Sequence, residues 1–223
     1  MAAWRLPAVR CALIPPSLSV ANSRTAMISS SLLVSAYSSG WFPMAVDDGE
    51  IRWYSPDPRG VIPLDRFHLP SRLARVVRAG RFRVEIDRRF EDVMRACAET
   101  DRKEEDAGTW ISEEIVESYV ELHRLGLAHS VETWLDDRLV GGLYGVAVRG
   151  AFFGESMFHS VTDASKVALA ALVERLRARG FHLLDVQWVT PHLEQFGAIE
   201  IPRDVYLKRL EEALRAKVAF GGE

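Results

Sequence analysis

Residues 129–158 contain the three runs that decide the fold: His129-Ser-Val-Glu-Thr-Trp134, Leu139-Val-Gly-Gly-Leu-Tyr-Gly145 and Phe153-Gly-Glu-Ser-Met-Phe158. Each run has the residue types of a short β-strand, and turn-forming segments at 136–138 and 149–150 separate them. This order predicts an antiparallel meander. Glycine is dense along it, and strands without side chains allow a bulge or the close approach of a ligand. These glycines are at 141, 142, 145, 150 and 154.

One carboxylate lies inside the predicted meander. Glu155 is flanked by the apolar residues Phe152, Phe153, Met157 and Phe158. An acid in such surroundings is either an ion-paired structural residue or a reactive one. The sequence alone leaves both interpretations open.

Length and composition indicate a globular protein with a real core. The chain has 223 residues, of which 48% are apolar, so it suits one large domain or two small ones. No apolar run approaches the roughly 18 residues of a transmembrane helix, so no membrane partner is expected. Cys11 and Cys97 are far apart and have no metal-ligand partner at useful spacing. A metal-free protein of the reducing cytoplasm is therefore expected.

Charge is distributed unevenly along the chain. The formal net charge of −3 favours neither nucleic acid nor a membrane surface. Between Arg59 and Arg89, however, nine arginines stand against Asp65, Glu85 and Asp87. This segment suits phosphate groups, although an arginine-rich solvated face explains the charge count equally well.

The N-terminal segment differs from the rest. Residues 1–46 contain no acidic residue, which is typical of a transit peptide. A mis-assigned start, with translation beginning at Met27, explains the same composition more simply. We therefore set residues 1–28 aside as a leader and expect an N-terminal domain at 29–100 and a C-terminal domain at 101–223.

Periodicity and turn signals predict the other elements. A helical turn at 32–37 precedes an irregular aromatic cluster, Trp41-Phe42-Pro43-Met44, which proline should keep out of regular structure. In chain order we then expect a strand at 51–54, a stiff loop at 55–59, a strand at 83–86, a helix at 88–99, a charged loop at 101–108, a helix at 112–126, a helix at 164–179 capped by Asp163, a strand at 181–189, a helical turn at 190–197 and a helix at 204–219.

Two polar residues share one face of the predicted strand at 181–189. Alternation sends Asp185 and Gln187 to the same side, so the two side chains should be neighbours. A polar pair buried at a strand end is the structural alternative to a catalytic pair.

The order of elements is compatible with an α+β, acetyltransferase-like fold, but coenzyme A is disfavoured. The loop at 159–166, which connects the predicted meander to the next helix, lacks the glycines of a pyrophosphate-binding loop. Asp163 also places a negative charge in that loop. No motif for a covalent nucleophile is present. Acyl transfer without a covalent enzyme intermediate remains, and it favours an activated donor such as an ester.

The chain resembles the bacterial leucyl/phenylalanyl-tRNA protein transferases over about residues 31–210. Eight blocks carry this resemblance in family order: Gly40-Trp-Phe-Pro-Met44, Trp53-Tyr-Ser-Pro-Asp-Pro-Arg59, Gly108-Thr-Trp-Ile111, Leu122-His-Arg-Leu-Gly-Leu-Ala-His-Ser-Val-Glu-Thr-Trp134, Leu139-Val-Gly-Gly-Leu-Tyr-Gly145, Gly154-Glu-Ser-Met-Phe158, Ala164-Ser-Lys166 and Leu184-Asp-Val-Gln187.

The resemblance implies a fold and an activity. The fold is a small N-terminal α/β domain followed by a C-terminal acetyltransferase-like domain with an antiparallel meander. The activity moves Leu or Phe, with Met as a further candidate, from aminoacyl-tRNA to the N-terminal amine of proteins that begin with Arg or Lys. The product is marked for N-degron degradation. A cytoplasmic monomer without metal or cofactor is implied.

The resemblance also implies roles for residues of this chain. Gln187 and Asp185 correspond to a catalytic pair acting as base or as positioning groups, and Glu155 either accepts from the aminoacyl ammonium or attracts the basic acceptor. Trp110 and Met44 correspond to positions that flank the terminal adenosine. The expected pocket for the aminoacyl side chain comprises Leu143, Phe152, Met157, Leu172, Leu176 and Leu184. The expected contacts to tRNA phosphates are Arg59, Arg66, Arg72 and Arg75.

Leu172 and Leu176 stand where the family often has phenylalanine, so the relative preference for Leu, Phe and Met is open. Two other function classes also remain. One is an acetyltransferase-fold enzyme with another acyl donor. The other is a non-catalytic RNA-binding module, in which Glu155, Asp185 and Gln187 are merely structural.

Overall fold

The computed structural model describes residues 27–46, 50–104 and 109–221. The leader expected at 1–28 lies almost wholly outside this part, and so does Cys11. The helices are α1 Ser30–Ser38, α2 Ser71–Arg78, α3 Phe90–Glu104, α4 Glu113–Arg124, α5 Ala164–Ala178, α6 Pro191–Glu194 and α7 Arg203–Arg215. The strands are β1 Phe42–Ala45, β2 Ile51–Tyr54, β3 Arg59–Ile62, β4 Arg83–Ile86, β5 Ala128–Leu135, β6 Arg138–Val148, β7 Ala151–His159, β8 Leu183–Gln187 and β9 Ile199–Ile201.

A seven-stranded mixed sheet forms the centre of this α+β fold. Its order is β4-β5-β6-β7-β8-β3-β9, and β1 and β2 form a separate two-stranded sheet. The predicted meander is confirmed, because β5, β6 and β7 pair antiparallel through tight turns. The pairing of β7 with β8 is parallel.

Helices cover both faces of the large sheet. One core contains side chains of α1, α3, α4 and α7, for example Tyr37, Met94 and Tyr119. The second core lies under α5 and contains Leu172 and Leu176. The sheet is thus buried on both faces, which explains why its strands are so apolar.

Helix α4 shows how local sequence sets the boundaries. The Ser112 side chain accepts a hydrogen bond from the Ile115 amide, and the acidic residues Glu113 and Glu114 occupy the first turn. The chain leaves the helix at Gly126, whose φ is +71°. The predicted start and end are therefore confirmed.

The aromatic cluster at 41–44 was wrongly predicted to be irregular. Phe42–Ala45 form β1, and Pro43 pairs in register with Trp53. Proline is tolerated here because β1 has β2 as its only neighbour in the described sheets, so Pro43 occupies an edge strand.

Asp163 does not cap α5 through its side chain, contrary to the prediction. Its backbone is left-handed, with φ +72°, and no capping hydrogen bond is formed. The carboxylate instead accepts from Arg72 Nη2 at 3.4 Å and from Lys166 Nζ at 3.3 Å. The predicted stop at Gly180, with φ +75°, is confirmed.

The segment around residue 100 also differs from expectation. Helix α3 continues through Glu104, so the charged loop predicted at 101–108 is helical over its first half. Residues 105–108 lie outside the described part. The sequence pattern missed β3, β9 and α2 altogether. Since β3 and β4 belong to the large sheet, the expected boundary at residue 100 does not coincide with a division of that sheet.

Candidate active site

The site lies where β7 and β8 separate. The two parallel strands pair at three positions, and the last of them joins Phe153 to Asp185. Glu155 and Gln187 each follow two residues later and are both nearly buried. Because the pairing has ended, their side chains face each other across the gap between the strands, where Gln187 Nε2 donates to Glu155 Oε1 at 3.4 Å.

A cavity opens beside these two residues. Its walls combine the Glu155 and Gln187 side chains with aromatic and sulfur-containing surfaces. The lining residues are Phe42, Met44, Trp110, Glu155, Ser156, Gln187 and Trp188. The structure thus brings together four residues predicted for the site from distant parts of the chain.

Glu155 is held by hydroxyl groups. Tyr37 donates its O–H to Glu155 Oε1 at 2.8 Å, and the Tyr37 hydroxyl is itself hydrogen-bonded to that of Tyr119. Burial raises the pKa of Glu155 to about 8, and the Asp185 charge adds to this, while the Tyr37 hydrogen bond and Arg59 act in the opposite direction. No cation among the described residues forms an ion pair with it. Glu155 is therefore largely protonated at neutral pH.

Asp185 is completely buried, and both of its carboxylate oxygens are occupied. Arg59 binds it through Nε at 3.0 Å and Nη2 at 2.7 Å. The Tyr206 hydroxyl donates to it at 2.7 Å, and the backbone amide of Gln187 donates at 2.9 Å. The carboxylate thus points into a buried network and fixes the backbone that carries Gln187.

Gln187 has a strained backbone. Its φ is +57°, and the Trp188 amide donates to the Val186 carbonyl at 2.6 Å, which makes Gln187 the central residue of a γ-turn. Gly60 pairs with Gln187, and a Cβ on Gly60 would lie 2.6 Å from the Trp188 carbonyl carbon. Strain of this kind persists only where the surroundings enforce it, and it clusters at functional sites.

Arg59 is wrongly predicted as a phosphate contact. Its side chain is buried, paired with Asp185 and sandwiched by the rings of Phe42 and Tyr206, whose centroids lie 5.0 and 4.6 Å from the guanidinium carbon. Although burial disfavours its charge, the adjacent carboxylate raises the pKa of Arg59 above its ordinary value. The guanidinium is therefore part of the site's internal scaffold.

The other three predicted arginines are exposed on or near α2. The side chains of Arg66 and Arg72 are 84% and 74% exposed, and Arg75 is also exposed. Arg66 lies 3.8 Å from Asp65, and Arg72 lies 3.4 Å from Asp163. These side chains are accessible to an external anion.

The six residues predicted to bind an aminoacyl side chain do not line the cavity. They belong to the core on the α5 face of the sheet, where five are buried and Met157 is partly buried. Leu143 pairs across the sheet with Met157, and Phe152 with Leu184. The structure brings the six together in one cluster and leaves them separate from Glu155.

Sequence reasoning missed four residues of the site: Tyr37, Phe42, Ser156 and Trp188. Phe42 and Ser156 stand inside quoted motifs and could have been found there. Tyr37 gave no signal, because its contact with Glu155 spans 118 positions. Within the described ranges, no group of three or more His, Cys, Asp or Glu residues is arranged to hold a metal ion. No helix there is long and apolar enough to cross a membrane.

Comparison with known proteins identifies the relatives of this chain. Residues 61–211 match the family model of the leucyl/phenylalanyl-tRNA protein transferase, and residues 26–57 match that of its N-terminal domain. The chain is 53% identical over 197 residues to the leucyl/phenylalanyl-tRNA protein transferase of Herpetosiphon aurantiacus, covering 88% of this chain and 100% of that protein. It is 56% identical over 190 residues to the same-named protein of Rubrobacter xylanophilus, covering 85% and 96%.

Solved structures resemble the chain more weakly. The structure of L-PGS from Bacillus licheniformis aligns with a TM-score of 0.42 at 10% identity, over 84% of this chain and 71% of that chain. That level of likeness does not bear on function. The family models and the sequence identities above together establish that the chain belongs to the leucyl/phenylalanyl-tRNA protein transferase family.

Proposed function

We propose that this protein transfers Leu or Phe from aminoacyl-tRNA to the N-terminal α-amine of proteins that begin with Arg or Lys. The observation that carries the proposal is the meeting of Glu155 and Gln187 in the gap between β7 and β8, beside Trp110 and Met44. The names of the relatives above describe transfer from leucyl- or phenylalanyl-tRNA to protein. The product would enter the N-degron pathway of a bacterial cytoplasm, and the enzyme would act as a monomer without metal or cofactor.

The terminal adenosine binds in the cavity. The Trp110 indole offers a face for base stacking, which contributes about 1–3 kcal/mol and tolerates any base. The Trp110 carbonyl accepts from the Ala45 amide at 3.1 Å, which fixes the indole-bearing loop against the strand of Met44. The exposed Arg66, Arg72 and Arg75 then contact phosphates of the acceptor stem, independently of its sequence.

The aminoacyl side chain passes through the gap into the α5-side core. A Cβ on Gly154 would meet only the Asp185 carbonyl oxygen, at 3.6 Å, so the gap has room at that level. Met157 is the partly buried member of the apolar cluster, and its flexible thioether can move aside to admit the side chain. Leu143, Phe152, Leu172, Leu176 and Leu184 would form the walls. This route explains how residues on opposite faces of the sheet serve one substrate.

Glu155 recognises the α-amino group of the bound amino acid. In the empty site its raised pKa leaves the carboxyl protonated near neutral pH. An arriving ammonium group supplies the positive charge that stabilises the ionised carboxylate, so Glu155 ionises as the substrate binds. The Tyr37 hydrogen bond keeps the carboxylate directed at the gap.

The reaction is direct aminolysis of the ester. With a reference pKa near 8, a useful fraction of the acceptor α-amine is neutral at cellular pH. Its nitrogen attacks the ester carbonyl carbon, the C–N bond forms, and the bond to the ribose oxygen breaks. The ribose hydroxyl leaves with a proton that derives from the amine. The Gln187 amide orients the amine and the carbonyl, and Asp185 acts through the Gln187 backbone as a positioning residue.

The fold we propose for residues from β5 onward is acetyltransferase-like, and the parallel β7 and β8 that part at the site support it. Use of coenzyme A is disfavoured because the buried Asp163 carboxylate lies at the start of α5, where a pyrophosphate would bind.

A peptide assay tests the proposal. The enzyme is incubated with Leu-tRNA or Phe-tRNA and a peptide that begins with Arg, Lys, Ala or Glu, and the products are analysed by mass spectrometry. The proposal predicts addition of one Leu or Phe to the Arg and Lys peptides. It predicts no addition to the Ala and Glu peptides or to Arg and Lys peptides with acetylated N-termini. Intact tRNA binding without any addition would support the non-catalytic RNA-binding module. Acetylation of the peptide in a parallel reaction with acetyl-coenzyme A in place of the charged tRNA would support the acetyltransferase-fold enzyme with another acyl donor.

A further inference from the structure

The chain after α7 folds back across one end of the large sheet. A Cβ on Gly150, at the turn between β6 and β7, would lie 2.8 Å from the Ala216 Cβ, and one on Gly180 would lie 3.7 Å from Val218. Four residues after Ala216, Phe220 enters the α5-side core, where its side chain is 1% exposed. This irregular segment, residues 216–221, is called the C-terminal strap below.

The Phe220 ring is held firmly on two sides. It stacks on the His129 imidazole, with centroids 4.4 Å apart, and packs on Phe152 at 5.2 Å. The Arg175 guanidinium lies over the ring at 4.9 Å and donates through Nη2 to the Phe220 carbonyl at 2.7 Å. Phe220 therefore holds the strap in two ways, through the hydrogen bond to its carbonyl oxygen and through the burial of its ring.

His129 is itself immobilised. Its Nδ1 lies 2.7 Å from Asp87 Oδ2, and its Nε2 lies 3.1 Å from the Gly126 carbonyl oxygen. With both ring nitrogens engaged, the imidazole forms a rigid backing for the Phe220 ring. The wall that Phe220 completes is thus stiff rather than adaptable.

The position of this wall relative to Glu155 follows from strand register. Met157 pairs with Leu143 two residues after Glu155 on β7, whereas Phe152, three residues before Glu155, pairs with Leu184. Three residues of strand span about 10 Å. Phe152 and Leu184 therefore lie deeper in the apolar cluster than Met157, past which the aminoacyl side chain would enter.

We propose that Phe152 forms the floor of the aminoacyl pocket and that Phe220, packed behind it, sets the longest side chain that the enzyme accepts. It does so by fixing Phe152 from behind, as a positioning residue that determines specificity. This inference rests on the proposed function and names the specificity of the same site.

The expected consequence is a change in preference among donors. Replacing Phe220 by Ala removes a ring behind Phe152 and allows Phe152 to retreat, so the pocket becomes deeper. Changes of one or two methylene groups in an apolar pocket alter discrimination by about 10-fold or more. Phe220→Ala should therefore favour Phe over Leu by about 10-fold relative to the wild type and add measurable transfer of Trp. Phe220→Trp should move the preference toward Leu.

A competition assay isolates this effect from folding. Leu-tRNA, Phe-tRNA and Trp-tRNA are mixed with one Arg-starting peptide in a single reaction, and the product ratio is measured for each variant. Because all donors compete for the same folded molecules, a loss of folded protein lowers every product equally. Lys217→Ala, an exposed residue of the same strap, is the matched control and should keep the wild-type ratio.

If the Phe-to-Leu product ratio rises in Phe220→Ala, falls in Phe220→Trp and is unchanged in Lys217→Ala, the proposed role of Phe220 is supported. A wild-type ratio in both Phe220 variants would overturn it while leaving the proposed function intact, since the wild-type enzyme would still transfer. If the wild-type enzyme transfers no amino acid at all, the proposed function is refuted, and the role proposed for Phe220 is refuted as well.

Discussion

The side-chain amide of Gln187 donates to the carboxyl group of Glu155 at 3.4 Å, although their strands stop pairing two residues earlier. Each residue is supported from behind by a buried network. The Tyr37 hydroxyl donates a hydrogen bond to Glu155, and the backbone N–H of Gln187 donates one to the Asp185 carboxylate. The polar pair thus connects these two networks across the gap, and its fixed position suits a reaction that depends on positioning.

Glu155 should make stability fall as pH rises. The folded carboxyl keeps its proton up to a pKa of about 8, whereas an unfolded Glu ionises above about 4.5. Between these values the folded state binds the extra proton, so the free energy of unfolding decreases with pH, by at most about 1.4 kcal/mol per unit. Above pH 8 the effect levels off. Glu155→Gln is neutral in both states and should lack this decrease.

Urea denaturation at pH 5.5, 7 and 8.5 measures the difference between wild type and Glu155→Gln. Glu194→Gln, which changes an exposed carboxylate, serves as the control and should follow the wild-type pH dependence. Parallel curves for wild type and Glu155→Gln would contradict the assignment of a protonated, buried Glu155.

Gly154→Ala should block the gap without harming the fold. The added Cβ would meet the Asp185 carbonyl oxygen at 3.6 Å, an ordinary contact, so the thermal unfolding midpoint should not fall. The methyl group would nevertheless narrow the route to the apolar cluster. We expect transfer of Phe to fall more than transfer of Leu, measured as kcat/KM for each donor.

Gly60→Ala provides the contrasting variant. Its Cβ would lie 2.6 Å from the Trp188 carbonyl carbon, so the γ-turn of Gln187 must shift and stability should drop. If Gly154→Ala transfers both donors at wild-type rates, the acyl side chain does not pass through the gap.

Phosphate contacts should come from the exposed arginines on or near α2 rather than from the buried Arg59. Neutralising one phosphate contact lowers the slope of log affinity against log salt by about 1. Arg75→Gln should show this reduction in tRNA-binding titrations, and Lys208→Gln, an exposed residue of α7, should not. Arg59→Gln should leave the slope unchanged but destabilise the protein by roughly 3–5 kcal/mol, because Asp185 would remain buried without its cation. A reduced slope for Arg59→Gln would contradict its place in the scaffold.

Much of the fold was predictable because local chemistry determined it. The meander follows from alternating residues and short turns, and α4 begins and ends at Ser112 and Gly126 as its capping residues predict. Asp185 and Gln187 were expected to be neighbouring side chains on one strand face, whereas the bond that joins them runs from the Gln187 backbone amide to the Asp185 carboxylate. The family motifs supplied Trp110 and Met44, and the cavity unites both with Glu155.

The remainder depended on contacts between distant residues. Nothing local in Arg59 distinguishes it from the exposed arginines that follow it, and its burial results from pairing with Asp185, 126 positions away. The left-handed backbone of Gln187 is likewise imposed by β3 and by Asp185 rather than by propensity. A local sequence pattern cannot predict a strained backbone that distant residues impose.

The most direct test of the account is the single-turnover rate of Leu transfer from Leu-tRNA to an Arg-starting peptide by Gln187→Gly. Glycine adopts φ +57° without strain, so this variant should be at least as stable as the wild type. It should bind tRNA equally well and transfer Leu at least about 100-fold more slowly, since the orienting amide is gone. A transfer rate within about twofold of wild type would contradict the central claim that the amide bridging the gap orients the reacting groups.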